Sequence, residues 1–218
     1  MEREFGSAPE HHMAATRPGI ILDRDGTLID VIRDEETGVV SVAWSPSQLR
    51  FLPGVLDGLR RFEAAGFGFA IATNQPGPAK GQFSAEAVHR THHALVAALA
   101  EAGIAIASVE VCWHHPIGSP HGAQELIGPC DCRKPKPGLL LRAMQNGGFD
   151  PESTWMVGDS TADIEAAHQA RLRSALVFAQ NRCELCPLRQ GSPITPDVVA
   201  PRFDELAERV LSWQTRAS

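Results

Sequence analysis

Five short apolar runs, at residues 20–22, 67–72, 109–113, 155–157 and 175–178, alternate with stretches of helical spacing. That alternation limits the fold more than any other feature of the chain. Short, continuous apolar runs suit strands buried on both faces of a parallel sheet, and each parallel link needs a crossover long enough for a helix. The intervening segments read as such crossovers. Pro53 and Gly54 open a helix through Ala64 that Gly66 ends. Ser84 caps a second with Ala85, Val88, Ala94, Leu95 and Leu99 at mostly helical spacing, closed by Gly103. Further helices are expected over 139–145, over 161–170, and from Pro201 through Phe203, Leu206, Val210 and Leu211. The expected fold is a single α/β domain over residues 18–215, a three-layer sandwich around a mostly parallel sheet. Residues 1–17 show no period and are expected to be a disordered lead; residues 30–47 read as a polar loop.

Composition removes several classes of function. A net charge of −6 with no basic run supplies no field for nucleic acid or an anionic membrane. No apolar run approaches the roughly 18–20 residues of a membrane span, and the polar N-terminus carries no secretory apolar stretch. The expectation is a cytoplasmic protein, a monomer, acting on a small molecule. Its five cysteines all fall at or after Cys112.

In open α/β sheets ligands sit beyond the carboxyl ends of the strands, so the residues just after each apolar run belong together. They are Asp23-Arg24-Asp25-Gly26-Thr27, then Thr73-Asn74-Gln75, then Arg133-Lys134-Pro135-Lys136-Pro137-Gly138, then Gly158-Asp159-Ser160 with Asp163 a turn later. Carboxylates converging on one crevice repel unless a cation joins them, and oxygen donors in this number suit Mg²⁺. A carboxylate beside the metal can attack phosphorus, and a second two residues on can protonate the leaving oxygen and later deprotonate water. A hydroxyl and an ammonium are suited to the charge on the transferring phosphoryl group.

The segments DRDGT, TNQ, CRKPKPG and GDSTAD, in that order over about residues 19–178, resemble the four motifs of the haloacid dehalogenase (HAD) superfamily, in its branch of magnesium phosphatases. The resemblance implies a Rossmann-like HAD fold and hydrolysis through an aspartyl-phosphate. By position, Asp23 would be the nucleophile and Asp25 the general acid/base. Asp23, the Asp25 backbone carbonyl and Asp159 would hold Mg²⁺, Thr73 and Lys134 would bind phosphate, and Asp163 would orient Lys134 or the metal shell. The 50 residues between Asp23 and Thr73, and the 61 between Thr73 and Lys134, leave no room for a full cap domain, so a capless enzyme is expected.

Cys112, His114, Cys130 and Cys132 form a C-x-H…C-x-C pair of hooks. Three thiolates and an imidazole suit tetrahedral Zn²⁺, which would clip a loop over 112–132 that has little to pack; all four positions are filled by protein, as in a structural site. The plainer alternative is a set of free cysteines in a reducing compartment. With the run TNQPGPAKGQFS, the loop resembles the D-glycero-D-manno-heptose-1,7-bisphosphate phosphatases, with histidinol-phosphate phosphatases as relatives sharing the zinc loop. That implies removal of the heptose 7-phosphate, with Asn74, Lys80 and Arg133 contacting substrate and Arg133 suited to a second phosphate. Trp113 and Ser160 depart from the usual proline and lysine. Asp34, Glu35 and Glu36 in the polar loop would disfavour a bisphosphate and favour a cationic substrate such as histidinol phosphate, unless they are only a solvated turn. A non-catalytic zinc-loop binding protein is the reading from another class, and it would predict a damaged site. Cys183 and Cys186 have hook spacing but no partner pair.

Overall fold

The computed structural model describes residues 16–34, 36, 38–178 and 195–217. Residues 1–15 of the expected lead, and Cys183 and Cys186, lie outside the described residues. In chain order the elements are β1 (Gly19–Leu22), β2 (Ile32–Arg33), β3 (Val40–Ser41), α1 (Val55–Ala64), β4 (Gly68–Asn74), α2 (Ala85–Glu101), β5 (Ile106–Cys112), α3 (Gly138–Gly147), β6 (Trp155–Gly158), α4 (Thr161–Gln169), β7 (Arg173–Val177), β8 (Val198–Ala200) and α5 (Phe203–Ala217). Six strands form one sheet in the order β5-β4-β1-β6-β7-β8, and every pairing in it is parallel.

The chain builds outward from β1 to β4 and β5, then returns to the other side of β1 for β6, β7 and β8. The reversal opens a crevice at the carboxyl ends of β1 and β6, the place where such sheets bind ligands. The strands are apolar on both faces because both faces are covered. Ile20, Leu22, Phe69, Ile71, Trp155 and Val157 point into one core with Val55, Leu59 and Phe62 of α1, Leu95 and Leu99 of α2, and Phe203, Leu206 and Val210 of α5. Ile21, Ala70, Ala72 and Met156 alternate to the other, against Leu139, Leu140 and Ala143 of α3 and Ala166 and Ala167 of α4. The three-layer α/β sandwich expected from the alternation is the fold observed.

Three details differ from expectation. Arg17, placed in the lead by its lack of period, is part of the fold: it bridges to Phe149, donates its N–H to the Gly148 carbonyl and accepts from the Asp150 N–H. The polar loop contains the antiparallel hairpin β2–β3, whose two-residue strands are too short to show alternation. A sixth strand, β8, pairs with β7; three residues flanked by Pro196 and Pro201 carry no periodic signal, and an edge position tolerates the neighbouring prolines.

Phe62 ties the helical layer together, edge-on to Phe67 at 5.4 Å and to Phe203 of α5 at 6.3 Å. Phe62→Ala is expected to lower the unfolding free energy by about 3–5 kcal/mol in a urea titration, because the void lies between packed elements that cannot close over it.

Candidate active site

Asp23 follows β1 and continues its pairing, donating its N–H to the Val157 carbonyl of β6 at 2.9 Å. The central contact of the crevice is the buried ammonium of Lys134. It donates to Asp23 Oδ1 at 2.6 Å and to the Ala72 carbonyl oxygen at 2.8 Å, and forms an ion pair with Asp163 Oδ1 at 2.6 Å. Lys134 sits in an irregular segment before α3, and Asn74 at the end of β4 holds that segment in place. The Asn74 Oδ1 accepts from the Lys134 N–H at 3.1 Å, and its Nδ2 donates to the Lys134 carbonyl at 3.0 Å. Asp163 serves two elements. Its Oδ2 accepts from the Ser160 N–H at 3.1 Å and the Ser160 hydroxyl at 2.6 Å, closing the first turn of α4, while Oδ1 faces Lys134.

Asp23, Asp159 and Asp163 bring carboxylate oxygens within 4.8 Å of one another. Burial pushes the Asp23 carboxyl up to about 7 against the pull of Lys134, and Asp163 and Asp25 add to the rise. Burial likewise pushes Asp159 up to about 8, with Asp23 and Asp163 adding to it. Burial alone would push Lys134 down, but Asp163 and Asp23 outweigh it and hold the ammonium above its ordinary range. Three carboxylates against one ammonium leave two negative charges to be met, which a divalent cation on hard oxygen donors supplies. The donor set therefore fits Mg²⁺. Gly26 makes the approach of Asp159 possible. Its φ is +87°, and a Cβ there would sit 2.0 Å from Asp159 Oδ2.

Asp25 is held by a separate set of donors. The fully buried Arg24 reaches it with Nε at 2.8 Å and Nη2 at 3.0 Å, a two-pronged pair that accounts for its charge. The Ala43 N–H donates to Asp25 Oδ1 at 3.2 Å, while the Ala43 carbonyl accepts from Arg24 Nη2 at 2.6 Å. Gln75, fully buried, donates through Nε2 to Asp25 Oδ2 at 2.7 Å and to Thr73 Oγ1 at 2.9 Å. Arg24 and Gln75 were not singled out from the sequence, although each lies inside a motif that was. Only the fold shows that the residue between two aspartates turns back onto one of them.

These groups line a cleft of about 160 Å³ with Asp23, Asp25, Val42, Thr73, Asn74, Lys134, Ser160, Ala162 and Asp163 on its walls. Binding pockets for whole small molecules run to roughly 300 Å³ and above, so this one admits a phosphoryl end and leaves the rest of a ligand at the rim. The polar loop contributes Val42 and Ala43 here. Asp34 and Glu36 are exposed and do not line it; Asp34 Oδ1 accepts from the Glu36 N–H at 3.1 Å in the hairpin turn. Lys80 and Arg133 do not line the cleft. Burial, and then the charges of Lys80 and Arg133, push the His115 imidazole down; Arg133 also donates to the His114 carbonyl at 3.3 Å.

The second cluster lies on the zinc-loop side. Cys112 Sγ is 3.0 Å from Cys132 Sγ, 3.8 Å from Cys130 Sγ and 4.0 Å from His114 Nδ1, and all four donor atoms fall within 4.8 Å of one another. Cys112 is fixed by β5 and Cys132 directly precedes Arg133, so the cluster is two residues from Lys134. Three sulfurs and one ring nitrogen at this closeness are a donor set suited to Zn²⁺.

A family model described as HAD-hydrolase-like matches residues 131–206. The D-glycero-beta-D-manno-heptose-1,7-bisphosphate 7-phosphatase of Escherichia coli (strain K12) is 33% identical over 185 residues, 85% of this chain and 86% of that one. The chain belongs to this family of HAD phosphatases. The 7-phosphatase of Pseudomonas aeruginosa is 33% identical over 187 residues, covering 85% of this chain and 96% of its own. Among solved structures, the D,D-heptose 1,7-bisphosphate phosphatase from B. bronchiseptica, complexed with magnesium and phosphate, superposes with a TM-score of 0.72 at 30% identity, covering 90% of this chain and 99% of that one.

Gly26→Ala is expected to weaken Mg²⁺ binding and phosphatase activity together, because the methyl group takes the space of Asp159 Oδ2. Titration of Mg²⁺ against activity in the variant, with its circular dichroism unchanged, measures it.

Proposed function

We propose that this phosphatase hydrolyses the 7-phosphate of D-glycero-D-manno-heptose 1,7-bisphosphate through an aspartyl-phosphate on Asp23. The observation that carries it is the convergence of Asp23, Asp159 and Asp163 on the buried Lys134 at the carboxyl ends of β1 and β6. Family membership supports the substrate, and the cleft supports the mode of binding, since only a phosphoryl group enters. Mg²⁺, held by Asp23, the Asp25 carbonyl and Asp159, would neutralise charge on the transferring group. The Asp23 carboxylate attacks phosphorus, and the bond to the sugar oxygen breaks. Asp25, which takes up a proton from solvent before this step, gives that oxygen its proton. Asp25 then takes a proton from water, whose oxygen attacks phosphorus and breaks the aspartyl bond, releasing inorganic phosphate and restoring Asp23.

Lys134 and Thr73 meet the phosphoryl oxygens, and Asp163 aims Lys134. Asn74, expected at the substrate, is better supported as the residue that fixes the Lys134 backbone. Lys80 and Arg133, outside the cleft lining, supply positive charge suited to the second phosphate of a bisphosphate. Asp34 and Glu36 are exposed and outside the cleft lining, which gives the cationic-substrate alternative no support from these two acids. Zn²⁺ on Cys112, His114, Cys130 and Cys132 would hold the loop that carries Arg133 and Lys134. Reduced thiols grouped as ligands suit a cytoplasmic enzyme.

Asp23→Asn is expected to abolish turnover with the fold intact, and Lys134→Ala to lower kcat by about 10²–10³ through lost charge stabilisation. Comparing kcat/KM on heptose 1,7-bisphosphate and histidinol phosphate tests the substrate; preference for the latter overturns it. Chelation should remove one zinc per chain and lower the thermal midpoint. A zinc-free preparation with an unchanged midpoint would overturn the clip.

A further inference from the structure

Arg24, which grips Asp25, and His92 of α2 carry buried polar atoms whose hydrogen-bonding capacity is unmet among the described residues. Arg24 is fully buried, and its Nη1 has no partner although Nε and Nη2 are fully engaged. His92, on the buried face of α2, is 6% exposed, and its Nε2 has no partner either. Buried groups of this kind are paired in folded proteins, directly or through an internal water. Their needs are complementary, because a guanidinium only donates and a neutral imidazole offers one accepting nitrogen. His92 is held neutral. Burial first, then the charge of Arg24, then His89 and His93 on its own helix, push its imidazole down to about 3. Trp113, at the end of β5, packs beside this group with its ring 6.4 Å from His92 and 5.0 Å from His89.

We propose that His92 is a positioning residue for Asp25. Its Nε2 accepts a hydrogen bond from an internal water that in turn accepts from Arg24 Nη1, and so fixes the guanidinium fork that aims the acid/base carboxylate. Arg24 holds Asp25 by two parallel bonds and holds Ala43 by a third, so a tilt of the guanidinium plane moves the carboxylate with it. The free corner of that plane is Nη1. A water-mediated bond from α2 to that corner leaves the fork one orientation. A planar fork is needed for this, which a lysine at position 24 would not supply. The proposal rests on the reading of Asp25 as the acid/base.

The test uses the full chain with Mg²⁺ and compares His92→Leu, His92→Gln and Asp25→Asn. Each is assayed for kcat/KM on heptose 1,7-bisphosphate, an alkyl phosphate, and on 4-nitrophenyl phosphate; histidinol phosphate replaces the former if it is the better substrate. This ratio reports steps up to departure of the first leaving group, where an alkoxide needs a proton and nitrophenolate does not. His92→Leu should lose about tenfold on the alkyl phosphate and less than about twofold on the aryl one. His92→Gln, whose Oε1 can stand where Nε2 does, should recover most of the loss. An equal loss on both substrates, no loss on either, or no recovery by glutamine overturns the proposal. If the leucine variant does not fold, His92→Asn, polar but too short to reach that water, replaces it with the same expectations. Asp25→Asn separates the two levels. An equal loss on both substrates there overturns the acid/base reading itself. A selective loss there without one in His92→Leu overturns only the role of His92.

Discussion

The ion cluster around Lys134 is the constraint on which the rest of the crevice depends. Asp23 and Asp163, each held by its own strand or helix, would not tolerate burial side by side without the ammonium between them. The ammonium in turn must come from a segment with no regular structure, so the protein secures that segment from several sides. Asn74 grips its backbone, the Ala72 carbonyl takes one of its N–H donors, and Cys132 ties the chain two residues upstream to Cys112 on β5. Seen this way, the cysteine cluster belongs to the same problem as the carboxylates. It holds a long connection at the one place where displacement would unpair a buried charge.

A second unit, nearly independent in charge, surrounds Asp25. Arg24 balances it, and Ala43 and Gln75 complete its shell. The two units meet at the mouth of the cleft through neighbouring residues of one tight turn, which Gly26 makes by leaving room for Asp159. Dividing the carboxylates in this way keeps the one that is proposed to move protons apart from those that are proposed to hold metal. The cleft beyond them is small, so discrimination among phosphate esters falls to residues outside its lining.

Much of this was legible in the amino-acid order. Short apolar runs followed by Asp, Thr or Gly-Asp marked both the strands and their functional ends, since a parallel sheet needs strands buried on both faces and leaves only their carboxyl ends to ligands. The elements that escaped notice were β2, β3 and β8, each of two or three residues, too short for a period to exist. Arg17 escaped for a related reason: a single residue joining a sheet margin by backbone bonds leaves no mark in side-chain type.

The sequence by itself determined the α/β architecture, the order of the four polar segments and the grouping of Cys112, His114, Cys130 and Cys132, because all of these are matters of periodicity, residue chemistry and spacing along the chain. The tertiary structure alone decided which groups satisfy one another. It turned Arg24 onto Asp25, set Gln75 between Asp25 and Thr73, assigned Asn74 to the Lys134 backbone, and left Asp34 and Glu36 outside the cleft lining. Hydrogen bonds and ion pairs depend on distances between residues far apart in sequence, and those distances exist only after the sheet and its helices have packed.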